Sequence, residues 1–453
     1  MAKVIYFCNF GAMKRCSALI ILVILSIVLI LGFRAIFSAP LPPNLSAPSH
    51  SSDEPSRVAI NLHLSDTLFN IPEAEKLDYQ IGQFLKRWEI NGASLAIMKD
   101  EKLIYAKGYG WADKEEGEAV EVKHIFRIAS VSKLITAAAI MKLCEEGKLS
   151  LSDKPFSKGG ILNMPQFDTV ITDRRMRNMT IEHLLRHQAG FSLGDGDPMF
   201  NIPNITKRLG LDTAAKADDI IAYSLARKLG FAPGTGTKYS NLGYVILSRI
   251  IEVISLLSYE SYIEENILHP AGVYDMHIAK NFYEQRYNNE VRYYEPENSE
   301  PISAYDGRDT LLPRCYGGND IEGLLGAGAW VASPGEILKF VAAIDGREEV
   351  PDILSPESIR VMTTATPSML PIGWAKCIQN NWARTGTLSG SSAVLKYNKD
   401  GYSWFFVTNT SSWNGSRFPA LIEDLFRKNL PKISAWPQHN LFDIDSLINI
   451  ASN

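Results

Sequence analysis

Two side chains at the mouth of an apolar run are placed to do chemistry together. In "FRIASVSKLITAAAIMKLCEEGKLSLSD", Phe126 to Asp153, the hydroxyl of Ser130 and the amine of Lys133 stand at i and i+3. On a helix that spacing puts both on one face. The residues that follow, "LITAAAIMKLC", are apolar enough to be buried and carry Lys133 into poorly solvated surroundings. Desolvation disfavours an ammonium and lowers its pKa. An amine lowered in this way can take a proton from a serine hydroxyl, which makes Ser130 a nucleophile. Ser132 lacks the one-turn relation to the amine. Read alone, the S-x-x-K spacing also fits a helix-capping serine beside a solvated lysine.

A second pair follows the Pro/Gly loop of "APGTGTKYSNLGYVILSRIIE", where Tyr239 and Asn241 open an apolar helix. A phenol and an amide on such a junction can face one cleft. The phenol can relay a proton, and the amide can hold Lys133 and a substrate carbonyl. Tyr287-Asn288-Asn289 repeats the letters without the loop or the apolar helix. A third segment, "ARTGTLSGSS", holds Arg384, Thr385, Gly386 and Thr387 on a strand of small residues. Its edge could receive an extended substrate. The backbone N–H of Thr387, with that of Ser130, could form an oxyanion hole, and Arg384 would offer positive charge to a substrate carboxylate. An ordinary edge strand with one solvated arginine fits the same letters.

These groups need elements to carry them. Ala74 to Trp88 reads as an amphipathic helix with Leu77, Ile81, Phe84, Leu85 and Trp88 on one side. "ASLAIMKDEKLIYAKGYGWAD" reads as a hairpin turning at Lys99-Asp100-Glu101-Lys102. "TIEHLLRHQAG" and "ADDIIAYSLARKLG" each begin with a capping residue and end in Gly. Residues 281–320 read as loops, "PGEILKFVAAI" as a helix, and the last part as strands turning at Lys399-Asp400-Gly401. The expected fold class is α/β (α+β): an antiparallel sheet flanked by helices, with an all-α insert at about 150–235.

The ends of the chain differ in character from its middle. No Asp or Glu precedes Asp53, and the stretch from Cys16 to Phe33 is uncharged. As a helix it would cover about 27 Å, close to the thickness of a bilayer core. Lys3, Lys14 and Arg15 before it against Arg34 after it put the N-terminus in the cytoplasm. The expected organisation is a cytoplasmic segment 1–15, a signal-anchor transmembrane helix 16–36, a Pro/Ser-rich tether 37–72, a catalytic domain 73–430 and a tail 431–453. A cleaved signal peptide is the rival for the N-terminal part. With 46 basic and 50 acidic side chains and no run of one sign, a nucleic-acid partner is excluded on electrostatic grounds. Five cysteines without a CxxC spacing support neither a disulfide framework nor a cysteine zinc site. His183 and His187 stand at i and i+4, but no Glu follows His183 as a zinc-protease helix requires.

The three segments in this order resemble the serine β-lactamase and penicillin-binding superfamily, in which S-x-x-K carries the nucleophile. The resemblance runs from about Glu73 to Lys428 and includes "TIEHLLRHQAGF", "ILHPAGVYDMHI" and "GAGAWVASPGEILKF". It is to the branch with class C β-lactamases, D,D-peptidases, D-aminopeptidases and related esterases. The resemblance implies Ser130 as acylated nucleophile, Lys133 and Tyr239 as the proton-transfer pair and Asn241 as a positioning group. It also implies a small-molecule or peptide substrate, and no metal or organic cofactor. Two departures stand out. Arg384 replaces the usual Lys or His of the third motif and cannot serve as acid or base near neutrality. "RHQAG" replaces the commoner Thr-Ser-Gly turn. The reading is a membrane-anchored serine hydrolase outside a bacterial cytoplasmic membrane, acting on cell-wall peptides or D-amino acid derivatives. A true β-lactamase and a non-catalytic penicillin-binding sensor are the alternatives.

Overall fold

Strands buried on both faces build the sheet that carries the third motif. The structure, a computed structural model, describes residues 59–64, 71–194, 196–433, 435–437 and 439–443. Twelve strands are described: β1 (Gly92–Lys99), β2 (Lys102–Asp113), β3 (Glu118–Ala119), β4 (Phe126–Arg127), β5 (His277–Ile278), β6 (Ile302–Ser303), β7 (Leu311–Leu312), β8 (Trp330–Ala332), β9 (Lys376–Ile378), β10 (Asn381–Leu388), β11 (Ser391–Asn398) and β12 (Tyr402–Thr408). Seven form one antiparallel sheet in the order β3-β2-β1-β12-β11-β10-β9. The first hairpin turns where the charged tetrad predicts. Asp100 (φ +48°) and Glu101 (φ +56°) are both left-handed, as a two-residue hairpin turn requires.

Helices cover the sheet. The amphipathic helix α1 (Glu75–Arg87) buries Leu77, Ile81, Phe84 and Leu85. Phe84 stacks on Phe418 at 5.5 Å between ring centroids. Phe418 opens the helix Phe418–Asn429, whose Phe426 lies 4.3 Å from Trp404 of β12. Neighbouring Phe405 is also fully buried, and strand alternation points it to the opposite face. Both faces of the sheet are therefore covered.

Between the halves of the sheet comes the helical part. The helix α2 (Ser132–Glu145) is buried on nearly every side, as its lack of a polar stripe demands. The expected insert holds α3 (Pro165–Asp168), α4 (Ile181–Leu185), α5 (Ile202–Leu209) and α6 (Ala217–Leu225). The Thr180 side chain and His183 cap α4 reciprocally, with both contacts at 3.2 Å. The apolar helix α7 (Asn241–Ser255) begins at Ser240, whose hydroxyl accepts the N–H of Gly243 at 3.2 Å. The stretch read as loops carries the two-stranded pair β6–β7 besides irregular chain.

The packed unit extends past both boundaries placed at 73 and 430. Residues 59–64 do not belong to an extended tether. Ile60 and Asn61 are fully buried. The Ile60 N–H donates to Glu336 at 3.0 Å, and the Asn61 amide donates to Asp275 Oδ2 at 2.6 Å and to the Lys123 carbonyl at 2.9 Å. At the other end Leu441 is fully buried, and its N–H donates to the Leu103 carbonyl at 2.9 Å. Trp436 packs against Tyr105 and Tyr402. The expected cytoplasmic segment 1–15 and transmembrane helix 16–36 lie outside the described residues. Among the described residues no single helix is long and apolar enough to cross a membrane.

Candidate active site

Ser130 sits in a 3-10 turn, Ala129–Val131, immediately ahead of α2. Ala129 adopts φ +49°, a left-handed conformation that costs a non-glycine residue about 1 kcal/mol or more. Several contacts hold the turn in that shape. The Ile128 N–H donates to the Trp330 carbonyl at 3.0 Å, and the Ser132 hydroxyl donates to the Ala129 carbonyl at 2.6 Å. Arg384 donates from Nε to the Ser130 carbonyl at 2.8 Å. The outcome is a half-buried Ser130 beside a wholly buried Lys133.

The hydroxyl of Ser130 meets both proton-carrying groups. Its Oγ lies 2.6 Å from the Tyr239 hydroxyl and accepts from Lys133 Nζ at 3.3 Å. Lys133 also donates to Asn241 Oδ1 at 2.7 Å and to the Ala327 carbonyl. The last contact depends on a close approach. A Cβ on Gly326 would fall 2.2 Å from Thr136 Oγ1 and 2.6 Å from Ser248 Oγ, so only glycine lets this loop seat against α2 and α7. Burial pulls the Lys133 pKa down from 10.5 to about 8, offset in part by Tyr239 and reinforced by the Arg384 guanidinium. Burial also acts to raise Tyr239, but the charges of Lys133 and Arg384 outweigh it, and the phenol stays below its ordinary 10.0. Tyr239 keeps 42% of its surface exposed, so the phenol is reachable from outside.

The third motif approaches the same turn from the sheet. The edge strand β9 pairs only with Asn381 to Ala383 of β10. Among the described residues no strand pairs with β10 on that side from Arg384 onward, and one face of this stretch packs on the Ser130 turn. A Cβ on Gly386 would lie 2.3 Å from the Ile128 carbonyl oxygen and 2.9 Å from the Ser130 nitrogen. Thr385 and Thr387 alternate with it and are half-buried. Arg384 does not stand out as an open docking group for a carboxylate. It is 3% exposed and turns inward onto the Ser130 carbonyl, with Nη2 at 3.4 Å from the Tyr239 hydroxyl.

Two contributors escaped the sequence reading. His187 packs on Tyr239 and binds the backbone on either side of it. Its ring lies 4.5 Å from the Tyr239 ring, its carbonyl accepts the Lys238 N–H at 2.8 Å, and its Nδ1 accepts the Ser240 N–H at 3.3 Å. Burial and the charges of Arg384 and Lys133 press its pKa well below 6.5, so the ring is neutral. Asp197 accepts from Asn241 Nδ2 at 2.8 Å. His183 and His187 are thus each engaged elsewhere, one capping α4 and one under Tyr239. In the sequence, the "RHQAG" departure and the His183/His187 spacing both fall on His187.

Residues 59–425 match the β-lactamase family. The chain belongs to the β-lactamase family. It is 27% identical over 266 residues to "Esterase EstB" of Burkholderia gladioli, covering 56% of this chain and 64% of that protein. It is 29% identical over 232 residues to "Protein flp" of Staphylococcus aureus strain MRSA252, covering 50% of this chain and 42% of that protein. The chain thus spans less than two thirds of the length of either relative. An octameric penicillin-binding protein homologue from Pyrococcus abyssi superposes with a TM-score of 0.59 at 25% identity, over 79% of this chain and 76% of that one. The D-amino acid amidase of Ochrobactrum anthropi SV3, complexed with L-phenylalanine amide, superposes with a TM-score of 0.62 at 21% identity, over 80% of this chain and 99% of that one. The amidase shows likeness of fold alone.

Proposed function

We propose that this β-lactamase-family chain is a serine hydrolase that opens ester or amide bonds through an acyl-enzyme on Ser130. The observation that carries the reading is the meeting of the Ser130 hydroxyl with Tyr239 at 2.6 Å and with a buried Lys133 at 3.3 Å. As Oγ attacks the substrate carbonyl, its proton passes to the Tyr239–Lys133 pair. The oxyanion is received between the N–H groups of Ser130 and Thr387. The pair returns the proton to the leaving oxygen or nitrogen, and the bond to it breaks. Water then repeats the sequence on the acyl-enzyme and frees Ser130. Asn241 holds Lys133 in place, and Arg384 fixes the turn and favours negative charge at the phenol. The open edge from Thr385 to Thr387 accommodates the acyl chain.

The finer reading is a membrane-anchored enzyme on the outer face of the cytoplasmic membrane, acting on cell-wall peptides or D-amino acid esters and amides. It rests on the uncharged stretch from Cys16 to Phe33 and the basic residues before it, and on the likeness of fold to an amidase. The test uses the full chain in membranes, with wild type beside Ser130→Ala. A fluorophosphonate probe should add one adduct to wild type and none to the variant, and p-nitrophenyl acetate turnover should fall with it. Adduct formation that survives in Ser130→Ala would refute the reading. Nitrocefin turnover dependent on Ser130 would assign a β-lactamase. Labelling by fluorescent penicillin without turnover of any ester or amide would assign a silent receptor.

A further inference from the structure

The hydrogen bonds around Asn241 are directional. Its amide nitrogen donates to Asp197 Oδ2 at 2.8 Å, and its amide oxygen accepts from Lys133 Nζ at 2.7 Å. An ionised carboxylate accepts only, and an ammonium donates only. The two partners therefore fix which end of the amide faces which. A flipped amide would set its N–H groups against Lys133 and its oxygen against Asp197, two repulsive contacts for two attractive ones. The Asn241 backbone N–H also points to Asp197 Oδ2 at 3.4 Å.

Asp197 is itself held. Its Oδ1 accepts the Met199 N–H at 3.0 Å, as cap of the short turn Pro198–Phe200. That turn belongs to the helical insert, and Asn241 begins α7, 44 residues further on. The contact ties the insert to the catalytic amide. It also sets a negative charge one amide away from Lys133, where it favours the ammonium.

We propose that Asp197 is a positioning residue that orients Asn241 and thereby sets how firmly Lys133 holds its proton. Its anion acts with Tyr239 against burial and Arg384, which lower the pKa of the amine. The remaining charged or titratable groups around Lys133 are Tyr239 and Tyr244, with rings 4.9 and 5.4 Å from Nζ, Arg384 from β10, and neutral His187 from the turn after α4.

The inference rests on the reading of Ser130 as nucleophile, and the experiment separates the two. Ester turnover is followed against pH for wild type, Ser130→Ala, Asp197→Asn and Asp197→Ala in the full chain, with circular dichroism to confirm folding. Asp197→Asn keeps an oxygen that can accept from Asn241 but removes the charge. The acid limb of its kcat/KM should move to lower pH by about half a unit or more. Asp197→Ala frees the amide, and kcat should fall about 10- to 100-fold with little change in KM. Wild-type turnover lost in Ser130→Ala, with both Asp197 variants keeping the wild-type kcat and pH profile, overturns the inference alone. Wild-type turnover that Ser130→Ala retains overturns the underlying reading instead. Should Asp197→Ala not fold, the shift in Asp197→Asn decides, and an unmoved limb there counts against the role.

Discussion

Gly386→Ala tests whether the closeness of β10 to the Ser130 turn matters for the chemistry. The added Cβ would fall 2.3 Å from the Ile128 carbonyl oxygen, 2.9 Å from the Ser130 nitrogen and 3.0 Å from Ala129 Cβ. Both near atoms are backbone, so no side chain can swing away. Relief to an ordinary carbon–oxygen contact requires the strand and the turn to part by about 1 Å. That movement lengthens the 2.8 Å bond from Arg384 to the Ser130 carbonyl and spreads the two N–H groups proposed to receive the oxyanion. Removal of one such donor costs about 10²–10³ in kcat, or roughly 3–4 kcal/mol. The overpacking itself costs about 1–3 kcal/mol of stability. Gly82→Ala is the control, since its Cβ meets nothing within 4 Å on the exposed side of α1, and it should gain up to about 1 kcal/mol. Ester turnover and thermal melts of both variants decide the matter. A folded Gly386→Ala protein with kcat within threefold of wild type would refute the argument.

Three further outcomes are expected. With Lys133 pulled down to about 8, kcat/KM should rise with pH and reach half its plateau near that value, because the protonated amine cannot accept from Ser130. A rate independent of pH from 6 to 9 would contradict a lysine base. The sign for folding is the same: the unfolded chain keeps this proton up to about 10.5 while the folded one releases it near 8, so Lys133 adds stability as pH climbs through that window. Tyr239→Phe and Lys133→Met should each cut kcat about 10²–10⁴-fold, and the double variant should fall little below the worse single one. Two losses that multiply in full would show that the groups act separately. Asn61→Ala leaves buried Asp275 without one donor, now at 2.6 Å, and should cost about 1–3 kcal/mol, visible as a lower Tm. An unchanged Tm would mean that residues 59–64 add nothing to the fold.

The local parts of the site were legible because they depend on short-range pattern. One-turn spacing puts Ser130 and Lys133 at the head of α2, and the serine before Asn241 caps α7. The hairpin turns at Asp100-Glu101 and Lys399-Asp400-Gly401 fell where charged and Gly residues interrupt apolar runs. Distant contacts were not legible. Asp197 meets Asn241 only once the insert folds over α7, and no spacing announces it. The residue type of Arg384 was plain, but its direction was not, since its acceptor is the backbone carbonyl of Ser130. The docked segment 59–64 was missed because its Pro- and Ser-rich neighbours suggested a continuous tether, whereas Ile60 and Leu64 supply apolar anchors around buried Asn61.

The inward turn of Arg384 changes how the site should be understood. A lysine or histidine there could point at the substrate or exchange a proton. Arg384 does neither: it spends its guanidinium on the Ser130 carbonyl and the Tyr239 hydroxyl. Two buried cations, Lys133 and Arg384, then flank one phenol, and the contacts of Lys133 within hydrogen-bond reach are all neutral. Such a field favours negative charge wherever it develops, on the phenol, on the serine oxygen or on the oxyanion. Burial, with Arg384 beside it, also opposes a full charge on Lys133. Lys133 and Arg384 therefore make Tyr239 a better acid, while burial and Arg384 make Lys133 a better-populated base. Arginine in the third motif thus turns into the electrostatic frame around Ser130 and Tyr239 and not outward from the strand.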